Sequence, residues 1–327
     1  MSLTKKIAAA RDQLLNGPLK QGNFVRNVLT IATGSALSQA ITIAALPLLS
    51  RLYSPAAFGL LATFIVLCDI VQQPACLGYQ GSIVLPKRDQ SAHSLWVACL
   101  AIGFAVCIAT EIIFLTLGES LANLLGSPEL EPWLWLVPIA MLLWVGREST
   151  ANWCARHKNF AHISAGMVAN RSAAIATQLT VGTVSANPGP SGLIIGNVFG
   201  SLTGLTVLLG RGTRNMPARY WASLRTRRVF TLLHHYRHFP GYALPSSFVA
   251  AAWRASPVIF LGYFFSPAIF GFFAMANRLV AGPVQLLTSA LIIVFYERAN
   301  RANTEGNLGE LTAGLYQRLA ALLMTPM

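Results

Sequence analysis

The sequence predicts an all-α fold, a polytopic bundle of transmembrane helices, and three observations carry that reading. Hydrophobic residues make up 54% of the 327 and charged residues only 11%, against roughly 25% charged in an average soluble domain. Apolar runs long enough to cross a bilayer, about 20 residues each, recur along the whole chain. Basic residues alternate from one side to the other between those runs. A soluble globular enzyme, a disordered tail and a fibrous protein are all excluded.

The runs fall at about 28–49, 56–79, 95–117, 133–153, 161–184, 192–209, 242–265 and 268–296, and a ninth starts near Leu311. The N-terminal arm carries Lys5, Lys6, Arg11, Lys20 and Arg26, and the first turn after it only Arg51. Lys87 and Arg88 follow the second run, and Arg156 and Lys158 the fourth, with Arg147 near the helix end. Seven arginines, from Arg211 to Arg237, follow the sixth, and Arg298 and Arg301 the eighth. The intervening loops hold no Lys or Arg apart from Arg51, and one holds Glu119, Glu129 and Glu131. That pattern obeys the positive-inside rule with the N-terminus in the cytoplasm. A net charge of +13 would suggest nucleic acid in a soluble domain. A nucleic-acid footprint would not alternate with span number, so no nucleic acid is expected.

Residues 1–27 are too polar and too long for the front of a cleaved signal. Leu3, Ile7, Leu14 and Leu15 against Lys5, Lys6 and Arg11 suggest either an amphipathic helix lying on membrane lipids or a basic arm. The five cysteines are odd in number and lie in or near spans, with no C-x-x-C pair, so they read as small core residues.

An internal repeat organises the rest. Residues 54–62, SPAAFGLLA, return as 266–274, SPAIFGFFA, six of nine identical at a fixed offset of 212. Both copies open a span running the same way, as in a parallel duplication of a six-helix half. The expected division is an N-terminal six-helix lobe at 28–210, a basic cytoplasmic linker at 211–241, and an incomplete C-terminal lobe at 242–327. That last part would hold the first two to three helices of the second lobe.

Ionisable groups at membrane depth are costly and normally face the bundle interior or a wet cavity. Asp69, Glu111, Arg171, Arg254 and Arg278 are such groups. Two readings stand: Asp69 or Glu111 pairs with Arg171 to lock helices, or the arginines line a cationic cavity for an anionic cargo. Arg suits a cavity because its planar fork grips phosphate oxygens in pairs and keeps its charge. Pro74, Pro138 and Pro283 inside runs are candidate kinks. None of the five lysines follows a glycine, so there is no P-loop, and no G-x-S-x-G elbow occurs. His234, His235 and His238 have helical metal-ligand spacing, yet their neighbours are arginines and no carboxylate lies between Glu148 and Glu297. An interfacial basic helix accounts for them better, and neither metal nor cofactor is expected.

Residues 47–55, PLLSRLYSP, with Phe58-Gly59 after them, resemble the first helix hairpin of bacterial polysaccharide (O-antigen type) flippases. Residues 81–87, GSIVLPK, resemble their second loop, 236–242, YRHFPGY, the entry to helix seven, and 271–283, with Asn277-Arg278, helix eight. The resemblance implies the exporter superfamily of multidrug, oligosaccharide-lipid and polysaccharide transporters. It implies a cargo of undecaprenyl-diphosphate-linked oligosaccharide, crossing the bacterial inner membrane for lipopolysaccharide or other surface polysaccharide. Polysaccharide polymerase and other assembly proteins are the partners it implies. A multidrug or small-ion exporter of the same fold is the alternative, and a membrane glycosyltransferase a weaker one. The longest external loop, 118–132, is short for the acidic catalytic domain an enzyme would need. The offset also places the end of an equal second half at roughly residue 420. A C-terminally truncated transporter, inactive as it stands, is therefore expected, with completion by a partner or by dimerisation as the alternative.

Overall fold

A computed structural model describes residues 21–124, 127–185, 188–213, 226–265, 269–280 and 284, and every regular element among them is helical. The elements are α1 (Gln21–Leu52), α2 (Pro55–Gln72), α3 (Asp89–Leu124), α4 (Leu136–Arg156), α5 (Phe160–Val184) and α6 (Ser191–Gly212). After them come α7 (Thr226–His235), α8 (His238–Phe264) and α9 (Ile269–Val280). Short 3-10 turns, Tyr79–Val84 and Pro128–Trp133, lie on either side of α3.

Ser54 and Pro55 set the turn between α1 and α2. The Ser54 hydroxyl accepts from the Ala57 amide at 3.3 Å, and Pro55 takes the first helical position, where a missing N–H costs nothing. Tyr53 fixes this turn to the bundle by donating its hydroxyl to the Gln178 carbonyl at 2.7 Å, while Gln178 Nε2 donates to the Leu193 carbonyl at 3.0 Å. At the other end, Asp89 opens α3 and Arg156 closes α4, each with the charge that suits its helix terminus. Arg156 donates Nε and Nη2 to Asp89 Oδ1 at 2.9 and 2.8 Å, and Nη1 to the Val84 carbonyl at 3.0 Å. These two anchors mark the ends of the bundle, the Ser54 end and the Asp89 end.

The closest packing is between α5 and α6, followed by α1 on α5. Gly192, Gly196, Gly200 and Gly204 repeat every fourth residue along α6. A Cβ at Gly200 would stand 2.5 Å from the Asn170 carbonyl oxygen and 2.6 Å from the Ala174 Cβ, so the backbones approach as only glycine allows. Exposed large side chains cover the outside, among them Phe104, Ile112 and Leu115 on α3 and Val249, Trp253 and Phe260 on α8. An apolar surface that broad is a lipid-facing surface.

Four described helices, within α1, α2, α3 and α6, are long and apolar enough to cross a membrane. The remaining long helices, α4, α5 and α8, are the ones that carry Arg147, Arg171 and Arg254. Several boundaries differ from the apolar runs. The run at 56–79 stops being α-helical at Gln72 and continues as turns, in which Leu77 and Gly78 take positive φ (50° and 76°). Pro74 therefore lies beyond the helix, and Pro138 in the first turn of α4, so neither kinks a helix interior. Among the described residues, the interior prolines are Pro47 of α1 and Pro245 and Pro257 of α8. Helix α3 runs 36 residues and absorbs the start of the expected 118–132 loop. Residues 1–20 of the N-terminal arm, 214–225 of the linker, Pro283 and the ninth run lie outside the described residues.

Candidate functional site

The halves of the sequence repeat meet at the Ser54 end. Helix α2 opens in the first copy and α9 in the second. A Cβ on Gly271 would overlap the Pro55 carbonyl oxygen, so glycine is required where the two helices touch. Phe58 and Phe270, equivalent in the repeat, are both buried. The Arg278 guanidinium lies over the Phe58 ring, Cζ 5.7 Å from the centroid, within reach of the ring's negative face.

Between α2, α8 and α9 lies a cavity of about 490 Å³. Asp69 lines it from α2, Trp253 and Arg254 from α8, and Phe273, Asn277 and Arg278 from α9. Asp69 and Arg254 are near enough for their charges to act on each other. They form no ion pair within 4 Å, for the described ion pairs both belong to Asp89. The two groups therefore look into the same space without being clamped together.

Arg278 also lines a second, small pocket of about 20 Å³ between α1, α5 and α6. Thr42, Asn170, Arg171, Gln178 and Asn197 supply its other polar groups. The Arg171 and Arg278 charges act on each other, as do those of Arg147 and Arg171. Arg147, on α4, is thus near enough to Arg171 for the two charges to repel. It stands mid-helix in α4 rather than near its end, and its place inside an apolar run was the available signal.

The structure brings Asp69, Arg254 and Arg278 to one cavity and Arg171 to the pocket beside it. Glu111 lines neither and sits half-buried on α3 beside Cys107. Among the described residues, no ion pair joins Asp69 or Glu111 to Arg171, so the helix-locking arrangement is not formed. Among them, too, no three His, Cys, Asp or Glu side chains gather as a metal-ligand set.

A bundle of helices, four of them long and apolar enough to cross a membrane, around a cavity that holds Asp69, Arg254 and Arg278, defines a polytopic helical membrane protein. The chain belongs to the polysaccharide biosynthesis protein family, whose model matches residues 48–327. No curated protein and no solved structure matches it significantly.

Proposed function

We propose that the protein is a flippase that moves undecaprenyl-diphosphate-linked oligosaccharide across the bacterial inner membrane, its N-terminus in the cytoplasm. The observation that carries this reading is the 490 Å³ cavity, with Arg254 and Arg278 facing in from α8 and α9. Taking a diphosphate through hydrocarbon without hydrogen-bonding partners is prohibitive. Two guanidinium groups in a wet space replace the lost water with paired, charge-assisted hydrogen bonds. The sugars would cross in that space while the prenyl chain stays in lipid, against apolar surface such as Trp253, 79% exposed.

Sugar transfer by a pair of carboxylates would need a second acid beside Asp69. Among the described residues lining the cavity, Asp69 is the acid present. Family membership in polysaccharide biosynthesis favours a saccharide cargo over a drug. Expression of the full gene product in a bacterium lacking its own flippase tests the reading. Restored surface polysaccharide supports it, whereas drug resistance gained without polysaccharide would point to a drug exporter.

A further inference from the structure

We infer that the joint between α7 and α8 is a docking site for an anionic phospholipid, its phosphodiester on the exposed cations there and an acyl chain in the groove at the start of α8. The site is separate from the arginine cavity and independent of any cargo.

Helix α7 packs on the first half through Leu232 and Leu233, with Tyr236 just past its end, all three against the cluster that holds Cys76 and Trp96. Its other side faces outward, where Phe230, Thr231, His234 and His235 are exposed. Phe230 is 67% exposed on a helix that opens with Arg227 and Arg228. An outward aromatic ring on a basic helix suits the boundary between lipid headgroups and acyl chains. Just beyond, His238, Phe239, Tyr242, Ala243 and Ser246 line an open groove of about 400 Å³. The groove is fixed from behind. Phe239 meets Tyr236 edge to face, ring centroids 6.3 Å apart, and Ala243 Cβ stands 2.9 Å from where a Cβ on Gly78 would be.

Charge decides the occupant. Lys87, Arg88, Lys158, Arg211 and Arg237 are exposed at the same Asp89 end, where Asp89 itself is already held by Arg156. The sequence has no Asp or Glu between Glu148 and Glu297, a stretch that includes α7, the groove and seven arginines from Arg211 to Arg237. A zwitterionic lipid would leave that excess unanswered, whereas a basic cluster beside a membrane span attracts anionic headgroups. The prenyl chain of a lipid-linked cargo is the other amphipathic candidate. Arg254, proposed to grip the cargo's diphosphate, lies about 16 Å along α8 from Ala243 at 1.5 Å per residue. Among the described residues, the groove and the arginine cavity share no lining residue. The groove is therefore assigned to a phospholipid.

Native mass spectrometry of the full chain in detergent reads the site directly, with phosphatidylglycerol and phosphatidylcholine of the same acyl chains as the probes. Phosphatidylglycerol should bind at least about fivefold more tightly, the share of one arginine at an anionic surface. Arg237→Gln should remove about fivefold of that preference and leave phosphatidylcholine binding unchanged. Ser246→Trp, at an exposed position on the groove, should weaken both lipids about tenfold. It fills the space of the chain, at a loss of roughly two buried methylene groups, and leaves the charges in place. Arg51→Gln, which removes an exposed cation at the Ser54 end, should change neither lipid. Equal affinity for the two lipids overturns the inference, as does an effect of Arg51→Gln matching that of Arg237→Gln. Binding untouched by Ser246→Trp would leave a diffuse charge patch in place of a site and overturn it too. Displacement of phosphatidylglycerol by glycerol phosphate would show free phosphate to suffice, and displacement by geranylgeranyl diphosphate would give the groove to the cargo. Either result overturns the assignment.

Discussion

Arg254 projects from mid-α8 into the cavity, exposed and without an ion pair among the described residues, with Asp69 opposite. An exposed side chain can be removed at little cost to folding. Arg254→Ala should therefore abolish export while membrane levels of folded protein stay near normal. Arg254→Lys should recover part of the activity, since it keeps the charge but loses the bidentate fork. Normal export by Arg254→Ala would reduce Arg254 to a charge reaching for the interface. Arg156 should behave oppositely. Its three hydrogen bonds tie the start of α3, the end of α4 and the Val84 carbonyl together. Arg156→Ala should cost roughly 1–2 kcal/mol, discounted because Asp89 is 44% exposed, and a thermal melt in detergent would record it. The candidate arginines were legible in the sequence because a charge stands out in an apolar run. Their grouping was not. That Arg278 serves both the Arg254 cavity and the Arg171 pocket depends on how α9 crosses α2, and no local spacing encodes that crossing.

At the scale of the helix, α5 and α6 supply the most specific packing. Gly200→Leu would drive a side chain into Asn170 and Ala174, and it should destabilise the protein by about 1–3 kcal/mol, the usual cost of overpacking. Gly210, with open space where its Cβ would stand, is the control, and Gly210→Ala should hold or raise the melting temperature, since Ala is the better helix former. Among the described residues, helix type and approximate position were legible, since apolar runs of spanning length admit little else in a bilayer. Helix ends were less so. The stretch past Gln72 remains apolar to Tyr79, and hydropathy does not register the left-handed backbone of Leu77 and Gly78. Gly78 is also held by its surroundings, with Ala243 Cβ 2.9 Å from where its own Cβ would be.

Across the whole molecule, the two copies of the sequence repeat touch where Pro55 of α2 meets Gly271 of α9. The charge alternation makes a separate claim about which end faces which compartment. A topology reporter fused after Pro188 should report the outside and one fused after Arg225 the cytoplasm. Both on one side would break the span assignment and the parallel repeat with it. The alternation can be read from sequence because insertion responds to the short loops, and those keep their charges whatever the packing. How the halves approach each other cannot be read that way, because it depends on a few contacts between residues more than two hundred positions apart.

One detail of the linker sets the mechanics. Helix α7 is fastened to the first half, with the Tyr79 hydroxyl donating to the Leu233 carbonyl at 3.1 Å and Leu232, Leu233 and Tyr236 packed beside Cys76 and Trp96. Were α8 to leave its contacts with α2, the Tyr236-Arg237 turn immediately before it would be the pivot and α8 the lever arm. Its 27 residues make it about 40 Å long at 1.5 Å per residue. A swing of about ten degrees at that pivot would move the far end by about 7 Å, more than one helical turn. A small rotation at the Asp89 end would thus be amplified at the Ser54 end, where Pro55 and Gly271 meet.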